Sequence, residues 1–358
     1  MNTGGDDPLG GLIGASAESS GSIENSDSFM RVAVIGAGLS GLSAARVLRD
    51  HGHRVKVFEK SRGLGGRAAT RRVDGVGFDH GAQYFTARDP GFQQAVEAWC
   101  ESGVVEPWRA RMGKVEAGGI KDSPDGQQRY VAVPGMSSLG AHLGAGLDVH
   151  RRVRVIPPRR QGRRWFLTGD DGADLGSFDT LIISAPAPQA RELLAGVAPR
   201  IAELAAGVRY AATWAVLLAC EGPAPIEHDG LFFGDGILAW AARNSSKPGR
   251  SGNTWVLHAD PDWTELNLDA GSARVTAELM AAFCAATGTD PARMRAVSAH
   301  RWLYSLVPSP LDVGGLWEPS LRLGVCGDWC SGARIEGAFL SGRAVAGRIL
   351  GAYGLGSS

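Results

Sequence analysis

The chain of 358 residues is long enough to bury a substantial core in about two lobes. Its 37 basic and 37 acidic residues cancel, which argues against a protein that binds nucleic acid or an anionic membrane through its net charge. The scattered cysteines form no C-x-x-C pair, and no apolar run approaches the ~20 residues of a membrane-spanning helix, so we expect a cytoplasmic protein without a metal site.

The first segment, residues 1–29, is polar and rich in glycine and serine. It lacks the basic start and the apolar stretch of a signal peptide. Because it has little apolar surface to bury, we expect it to be a disordered tail.

Residues 32–60 read VAVIGAGLSGLSAARVLRDHGHRVKVFEK. The apolar run 32–35, the G-x-G-x-x-G loop, an amphipathic stretch and the second run 54–58 predict a strand, a tight turn, a helix and a second strand. Such a unit binds the pyrophosphate of a dinucleotide at the helix N-terminus, and an acidic residue after the second strand accepts hydrogen bonds from ribose hydroxyls. The cofactor contacts predicted in this unit are Gly36, Gly38, Leu39, Ser40, Gly41, Glu59 and Lys60.

NAD and FAD both contain an ADP half, so the βαβ unit alone does not distinguish them. Two further segments favour FAD. KSRGLGGRAATRR, directly after Glu59, predicts a second glycine loop whose Gly66 and Arg67 approach the cofactor. Near the C-terminus, LRLGVCGDWCSGARIEGAFLSGRAVAGRIL predicts a strand, a carboxylate placed to hold ribityl hydroxyls, and a helix whose N-terminus faces the flavin ring. The contacts predicted there are Gly327, Asp328, Glu336, Gly337 and Ala338. A surface Gly-Asp turn is the alternative interpretation.

These three segments together resemble the flavin amine oxidase superfamily. Within it, DHGAQYFTARDPGF, SAPAPQARELL, ARNSSKPGR, AHRWLYS and CGDWCSGARIEGAFLSG resemble segments of the bacterial renalase family. The resemblance covers nearly all of residues 30–352. It implies a non-covalently bound FAD and a two-domain α/β fold of the p-hydroxybenzoate hydroxylase type, with a Rossmann-type FAD domain and a mixed-sheet substrate domain.

The resemblance also implies a reaction, the oxidation of 2- and 6-dihydro isomers of NAD(P)H. The products are NAD(P)⁺ and, from dioxygen, hydrogen peroxide. Because loss of hydride makes the pyridine ring aromatic, the step needs no protein base, and we predict no catalytic side chain. The protein is expected to align the dihydronicotinamide dinucleotide with the flavin.

The FAD domain must be discontinuous, because its first and last segments lie at opposite ends of the chain. We assign to it residues 30–88, 131–200 and 318–352, and to the substrate domain residues 89–130 and 201–317. Inside the second FAD segment, VRVIPPRRQGRRWFLTGDDG predicts a two-stranded hairpin, and Val153 is a predicted cofactor contact. In the substrate domain, TWAVLLACEG, ILAWAARN and TWVLHAD predict strands of one sheet.

The segment HGAQYF, residues 80–85, follows a predicted strand and should pass the flavin. Gly81 and Ala82 are small enough for the backbone to approach the ring, and Gln83 and Tyr84 can offer hydrogen bonds. We therefore predict Gly81, Ala82 and Gln83 as cofactor contacts, and Gln83 and Tyr84 as substrate contacts.

The remaining predicted substrate contacts come from three strand-like segments. In AWAARN, Arg243 can pair with substrate phosphates and Asn244 can bind the carboxamide, with a structural hydrogen bond as the alternative for each. In TWVLHAD, His258 alternates with apolar neighbours and should point inward, as a substrate contact or as a core residue. The aromatic row of HRWLYS is either core or ligand wall. The predicted set is Trp240, Arg243, Asn244, His258, Trp302 and Tyr304.

Lys247, in RNSSKPGR, is the one lysine in a region suited to the flavin-facing lysine of amine oxidases. We expect it to be a solvated loop residue, which argues against an amine oxidase. Two alternatives nevertheless stay open. One is an amine oxidase or desaturase of the same superfamily, and the other is a protein that holds FAD without catalysis.

Overall fold

The computed structural model describes residues 29–353. The predicted tail lies outside this range, apart from Phe29. The first elements are β1 Arg31–Ile35, α1 Leu39–Asp50, β2 Arg54–Glu59, β3 Thr70–Val73, β4 Val76–Asp79, α2 Pro90–Glu101, β5 Val105–Pro107, β6 Met112–Glu116, β7 Gly119–Asp122, β8 Tyr130–Ala132, α3 Ser137–Gly144, β9 Asp148–Arg151, β10 Arg159–Gln161, β11 Arg164–Thr168, β12 Asp174–Phe178 and β13 Thr180–Ile183. The later elements are α4 Ala187–Leu194, α5 Pro199–Ala206, β14 Ala211–Cys220, β15 Gly230–Phe233, β16 Leu238–Arg243, β17 Thr254–Ala259, α6 Pro261–Leu266, α7 Ser272–Thr287, β18 Met294–Leu306, β19 Leu316–Glu318, β20 Leu323–Val325, α8 Asp328–Ser331 and α9 Ile335–Ala352.

Six strands form the nucleotide-binding sheet, in the order β19-β20-β13-β1-β2-β9. Neighbouring strands are parallel, except that the edge strand β19 runs antiparallel to β20. Because the carboxyl ends of parallel strands meet at one edge of a sheet, the loops after β1, β2 and β20 lie at the same edge. The sheet therefore brings together the segments that the sequence predicts to bind the cofactor.

Side chains of β1 alternate between the two faces of this sheet. Val32 and Val34 join the core formed with α1 and α9, whereas Ala33 and Ile35 join the core formed with α4 and α5. Both faces are thus covered, as parallel sheets require. The helices α1 and α9 approach so closely that a Cβ atom on Gly342 would lie 2.1 Å from the backbone oxygen of Ser40.

The predicted hairpin is confirmed, because β10 and β11 pair antiparallel across a turn at residues 162–163. β11 pairs with β10 and with β12 in a three-stranded antiparallel sheet. Val155 makes only an isolated bridge to Gly169. The ladder begins at β10 because Pro157 and Pro158 lack the N–H groups that strand pairing uses and so interrupt the apolar run before it.

Seven strands form the second sheet, in the order β18-β14-β17-β16-β15-β6-β7. Its pairs are antiparallel except that of β15 with β6. Helix α7 covers one face, where Trp255 packs on Phe283 with ring centroids 4.9 Å apart. On the opposite face, Trp240 and Ala242 join the core that contains α1 and α9. The second sheet therefore turns one face toward the nucleotide-binding sheet.

The predicted α/β fold class, with a Rossmann-type unit and a mixed second sheet, is confirmed. The domain limits stay a prediction, and α2, assigned to the substrate domain, packs on α9. Phe92 and Trp99 of α2 each place their ring centroid 5.3 Å from that of Phe339. Within residues 29–353, no helix is both long and apolar enough to cross a membrane.

The contact between α1 and α9 predicts opposite effects for two substitutions in one helix. Gly342→Ala places a methyl group against backbone and should lower the free energy of unfolding by about 1–3 kcal/mol. Gly347→Ala is the matched control, because its new Cβ meets no atom within 4 Å and alanine favours helix by up to ~1 kcal/mol. Urea unfolding of both variants measures the difference, and equal effects would contradict the close packing.

Candidate functional site

The first glycine loop leaves open space at the start of α1. Gly36 adopts a φ of 105°, and a Cβ there would lie 2.2 Å from the backbone oxygen of Ser184, so only glycine fits. Gly38 differs, because a Cβ on it would meet no atom within 4 Å. Gly38 is also the N-cap of α1, and no side chain caps that helix. Uncapped N–H groups beside open space are suited to an anionic group such as a pyrophosphate.

Glu59 is anchored at the end of β2. Its Oε2 accepts a hydrogen bond from the backbone N–H of Ala37 at 2.8 Å, and its Oε1 accepts one from that of Ser61 at 2.7 Å. Each oxygen keeps a further lone pair that can accept from a ribose hydroxyl. The backbone N–H of Val153 donates to the carbonyl of Glu59 at 2.9 Å, so this predicted contact lies beside the acid. The Lys60 ammonium is exposed and donates to Gln189 of α4.

The second glycine loop lies directly against the first. Gly65 donates from its N–H to the carbonyl of Ala37 at 2.8 Å, and Gly66 adopts a φ of 59°. Arg67, the next residue, donates to both carboxylate oxygens of Asp328, at 2.8 and 2.7 Å. The structure thus joins two predicted cofactor residues that lie 261 positions apart. The ion pair itself was not predicted.

Two predicted cofactor side chains are engaged within the protein. The Ser40 hydroxyl lies 2.7 Å from that of Ser184 in a buried pair. The Glu336 carboxylate accepts hydrogen bonds from the backbone N–H groups of Arg88 and Asp89, both at 2.7 Å, and so fixes the chain before α2. Both hydrogen bonds go to Oε1 of Glu336, and a cofactor contact of this residue stays a prediction. Cofactor contact through the backbone at Ser40, Leu39, Gly327, Gly337 and Ala338 stays a prediction.

The segment HGAQYF crosses between the second glycine loop and β18. Ala82 donates from its N–H to the carbonyl of Arg67 at 2.9 Å. Trp302 donates from Nε1 to the carbonyl of His80 at 2.9 Å. A Cβ on Gly81 would lie 1.9 Å from the carbonyl oxygen of Arg67, so this crossing requires glycine. The structure therefore brings the predicted Gly81, Ala82 and Trp302 to one place.

A row of side chains crosses five strands of the second sheet. The row consists of His300, Ala215, His258, Trp240 and Phe232, each directly opposite the next. Directly opposed residues of antiparallel strands point to the same face. Because Trp240 belongs to the core that contains α1 and α9, this face is the one turned toward the nucleotide-binding sheet. We call the row the aromatic wall. The ring of the predicted contact Tyr84 packs on that of Trp240, 5.7 Å away.

Beside the aromatic wall, next to Gln83, lies a buried ion cluster of Asp79, Lys247 and Arg250, with side chains 0 to 1% exposed. Arg250 donates to Asp79 Oδ2 at 3.1 and 2.5 Å, and the Lys247 ammonium lies 3.6 Å from the same atom. Lys247 also donates to Oε1 of Gln83 at 3.0 Å. The expectation of a solvated Lys247 is therefore wrong. The side chains of Lys247 and Arg250 point into the protein from this short loop, because the buried Asp79 attracts both cations.

Burial and neighbouring charges determine the ionisation of these groups. Burial lowers the pKa of Lys247 to about 8, although Asp79 opposes the shift. Burial alone would raise the pKa of Asp79, but Lys247 and Arg250 hold it below its usual range. Burial also lowers the pKa of His258 to about 4 and, together with His300 and Arg71, that of His80 to about 4. Both imidazoles are therefore neutral at physiological pH and are weak bases.

Two predicted substrate contacts are directed elsewhere. The Asn244 side chain is fully buried, donates to the carbonyl of Gly77 at 2.8 Å and accepts from the N–H of Asp79 at 3.2 Å. The Arg243 guanidinium lies 5.3 Å from the ring centroid of Trp255, on the face that α7 covers. These contacts support a structural role for Asn244 and Arg243 instead of substrate binding. Neither side chain lies on the aromatic wall.

Tyr304 lies apart from the wall. It lines a surface cavity of about 510 Å³ with Tyr210 and Leu303. The ring centroids of the two tyrosines are 5.4 Å apart. Of the eight predicted substrate contacts, Gln83, Tyr84, Trp240, His258 and Trp302 are therefore the ones gathered around the crossing of HGAQYF.

The sequence reasoning missed Asp79, Arg250 and Trp108 as neighbours of the site. The Lys247 ammonium lies 5.5 Å from the ring centroid of Trp108. A signal for the ion cluster was present, since an acid ends the strand VGFD and two cations flank Pro-Gly in KPGR. Nothing in the sequence indicated that these distant segments meet.

Two family models match the chain. The NAD(P)-binding Rossmann-like domain matches residues 34–101, and the flavin containing amine oxidoreductase model matches residues 107–350. The second match covers more than half of the chain. The chain belongs to the flavin containing amine oxidoreductases. FAD is the cofactor of this family, and the uncapped helix, the open space at Gly38 and the anchored Glu59 fit its ADP half.

Solved structures share the fold of this chain. Cyclohexylamine oxidase from Brevibacterium oxydans IH-35A superposes with a TM-score of 0.69 at 13% identity, over 90% of this chain and 98% of that one. An oxidoreductase from Methanosarcina mazei gives a TM-score of 0.68 at 16% identity, over 88% and 99%. At these identities the likeness shows the fold.

One curated relative matches over a short stretch. A 4,4'-diapophytoene desaturase (4,4'-diaponeurosporene-forming) of Staphylococcus aureus is 48% identical over 52 residues, which is 14% of this chain. The match spans only 10% of the desaturase. The finding therefore carries no information about a shared substrate.

The open space at Gly38 predicts a variant that folds without its cofactor. Gly38→Val should keep the fold, because a Cβ there meets no atom within 4 Å, but its side chain should occupy the pyrophosphate position and yield mostly apo-protein. Gly41→Val is the contrasting variant, since a Cβ there lies 2.1 Å from the backbone oxygen of Gly36 and should prevent folding. Visible flavin absorbance and circular dichroism measure both properties. Full FAD occupancy in folded Gly38→Val would contradict the placement of the cofactor.

The lowered pKa of Lys247 predicts a stability change with pH. Between about pH 8 and 10.5 the unfolded chain holds a proton on this lysine that the folded chain has lost, so stability rises with pH across this window. The rise should reach roughly 3 kcal/mol. Lys247→Met should remove it, whereas Lys114→Met, at an exposed lysine, should retain it. Urea unfolding across the window tests this, and parallel curves for wild type and Lys247→Met would refute it.

Proposed function

We propose that this flavin oxidoreductase oxidises 2- and 6-dihydro isomers of NAD(P)H to NAD(P)⁺. FAD, when bound, would supply the hydride acceptor, and one dihydronicotinamide, one proton and one O₂ would give NAD(P)⁺ and H₂O₂. The segments that resemble bacterial renalases, AHRWLYS and DHGAQYFTARDPGF among them, include the aromatic wall residue His300 and the Gln83 that touches the ion cluster.

The observation that carries the proposal is the chemistry of the aromatic wall. Its rings can pack on a flat pyridine, and its histidine next to Gln83 has a pKa of about 4 and is a weak base. Loss of hydride from a dihydropyridine needs no base, because the product is aromatic. A wall that aligns a ring without abstracting a proton therefore suits this reaction.

The residues of the chain have distinct parts in this proposal. Trp240 and Tyr84 would pack on the substrate ring, and Gln83 and His258 would offer polar atoms at its edge. Trp302 holds the carbonyl of His80 and so fixes the crossing segment. Because Tyr304 lies on the cavity beside Tyr210, it would contact only the part of a dinucleotide that extends away from the wall.

The second candidate is an amine oxidase, and the buried Lys247 favours it. An ammonium whose pKa is about 8 can exchange its proton near neutral pH, which amine oxidation can use. However, Lys247 is committed to Asp79 and Gln83. A desaturase of the same superfamily and a protein that holds FAD without turnover are further outcomes of the test below.

Anaerobic mixing of the holoenzyme with each substrate class discriminates these functions. We expect dihydro-NAD isomers, made by borohydride reduction, to bleach the flavin rapidly, and amines to leave it oxidised. Bleaching by amines alone would assign an amine oxidase. Bleaching by neither class would overturn the proposal.

Variants across pH test the mechanism. At saturating dihydro-NAD, His258→Ala, Tyr304→Phe and Lys247→Met should each keep substantial flavin reduction, with a nearly flat pH profile. Their loss should be in binding, since one hydrogen bond contributes about 0.5–1.5 kcal/mol. Loss of an essential base would instead lower the rate by ~10²- to 10⁴-fold. Stopped-flow absorbance measures the reduction, and a steep pH dependence with such a collapse would rule out a base-free step.

A further inference from the structure

The contacts of Gln83 fix the orientation of its side-chain amide. The Lys247 ammonium can only donate, and it lies 3.0 Å from Oε1 of Gln83. The opposite end, Nε2, donates to the carbonyls of Asp79 and of Gly81, the latter at 3.1 Å. A flipped amide would place an NH₂ group against an ammonium and an oxygen against two carbonyls. The orientation is therefore determined from both ends.

This orientation determines which nitrogen of His258 carries the proton. Nε2 of His258 lies 3.3 Å from the carbonyl oxygen of His80 and 3.4 Å from Nε2 of Gln83. Both hydrogens of the Gln83 amide already point at carbonyls, so none is left for the imidazole. Nε2 of His258 must therefore donate to His80. A neutral imidazole has one N–H, so Nδ1 carries a lone pair.

Nδ1 of His258 is a free polar atom of the aromatic wall. No residue within the range 29–353 hydrogen-bonds to it, and the side chain is only partly buried. His258 stands directly opposite Trp240, whose Nε1 is buried without a partner among the described residues. An acceptor and a donor thus lie side by side on the face turned toward the nucleotide-binding sheet.

We propose that Lys247 and Gln83 are positioning residues that hold His258 as its Nε2–H tautomer, so that Nδ1 accepts a hydrogen bond from a substrate N–H. The inference rests on the proposed function, in which that donor is the carboxamide N–H of the dihydronicotinamide ring. Lys247 would thus determine substrate specificity through Gln83 and His258, without touching the substrate.

The burial of the ion cluster supports a positioning part. Asp79 and Lys247 are wholly inaccessible, and removal of such charges from water costs more than their attraction generally returns. A buried ammonium does, however, provide what an apolar side chain cannot, a donor fixed at one end of the Gln83 amide. Arg250 holds Asp79 independently, so loss of Lys247 leaves a neutral pair behind.

The first test reads the tautomer directly. ¹⁵N spectra of histidine-labelled holoenzyme, with His258 assigned by comparison with His258→Gln, should show a protonated Nε2 and an unprotonated Nδ1. In Lys247→Met the two tautomers should mix and the pKa of His258 should rise, because the charge of Lys247 helps to lower it. Lys114→Met should match wild type. A protonated Nδ1 in wild type, or an unchanged spectrum in Lys247→Met, would overturn the inference.

The second test reads the substrate contact. An asparagine amide reaches about the position of Nδ1, and a glutamine amide about that of Nε2. His258→Asn should therefore keep the KM for dihydro-NAD near that of wild type, whereas His258→Gln should raise it roughly three- to tenfold with little change in kcat. With the dihydro isomers of acetylpyridine adenine dinucleotide, which lacks the carboxamide N–H, the three proteins should have similar KM values.

The outcomes of the two tests are separable. A His258→Gln variant that binds dihydro-NAD as wild type does, or the same penalty with the acetyl analogue, would refute the proposed hydrogen bond. If wild type fails to oxidise dihydro-NAD, the proposed function fails, and the ¹⁵N spectrum of the unaltered protein still decides whether Lys247 and Gln83 fix the tautomer. Flavin absorbance confirms that each variant holds its cofactor.

Discussion

The carboxylate of Asp79 is the interaction on which the arrangement of the site depends. It accepts hydrogen bonds from Thr70 at 2.6 Å and from the N–H of Met136 at 2.9 Å, and it pairs with Lys247 and Arg250. These partners come from β3, from the turn before α3 and from the loop after β16. A fully buried charge must be paired, so all these segments are held at the end of β4. The segment HGAQYF begins directly after Asp79. The fixed end of β4 therefore sets the path of this segment between the second glycine loop and β18.

The same carboxylate links the two chemical halves of the molecule. On one side, the glycine loops and the ion pair of Arg67 with Asp328 form the cofactor edge of the parallel sheet. On the other side, the aromatic wall belongs to a sheet of different topology. The crossing segment contacts both, through Ala82 and through His80. In the proposed function, the cofactor and the substrate ring are therefore held by separate sheets that share one connection.

Much of the fold follows from local patterns in the sequence. The apolar and glycine pattern of residues 32–60 predicts a βαβ unit. The structure has β1, α1 and β2 there, with ends that differ from the prediction by a residue or two. The predicted hairpin is equally local, since only a two-residue turn separates β10 from β11. By contrast, the burial of Lys247 depends on Asp79, 168 positions away along the chain. Periodicity describes the face of one element, whereas an ion cluster depends on which elements meet.

The candidate site divides along the same line. Trp240 and His258 were predicted from alternation within their own strands, and they do face inward. Arg243 ends β16, the strand of Trp240, and Asn244 comes directly after it. The roles of these two side chains depend on neighbouring segments, which provide backbone partners for Asn244 and an indole ring for Arg243. Sequence alone gives the side on which a residue lies. It does not give the partner that the residue meets there.

The packing of α1 on α9 has a consequence for how the chain reaches its native state. The hydroxyl of Ser43 donates to the carbonyl of Phe339, 296 residues later, and Gly342 rests on the backbone of Ser40. A ribosome releases the βαβ unit long before α9 exists. Until then the face of α1 that carries Ser40 and Ser43 has no partner helix. The nascent nucleotide-binding lobe therefore stays incomplete through most of its synthesis, until the last helix docks.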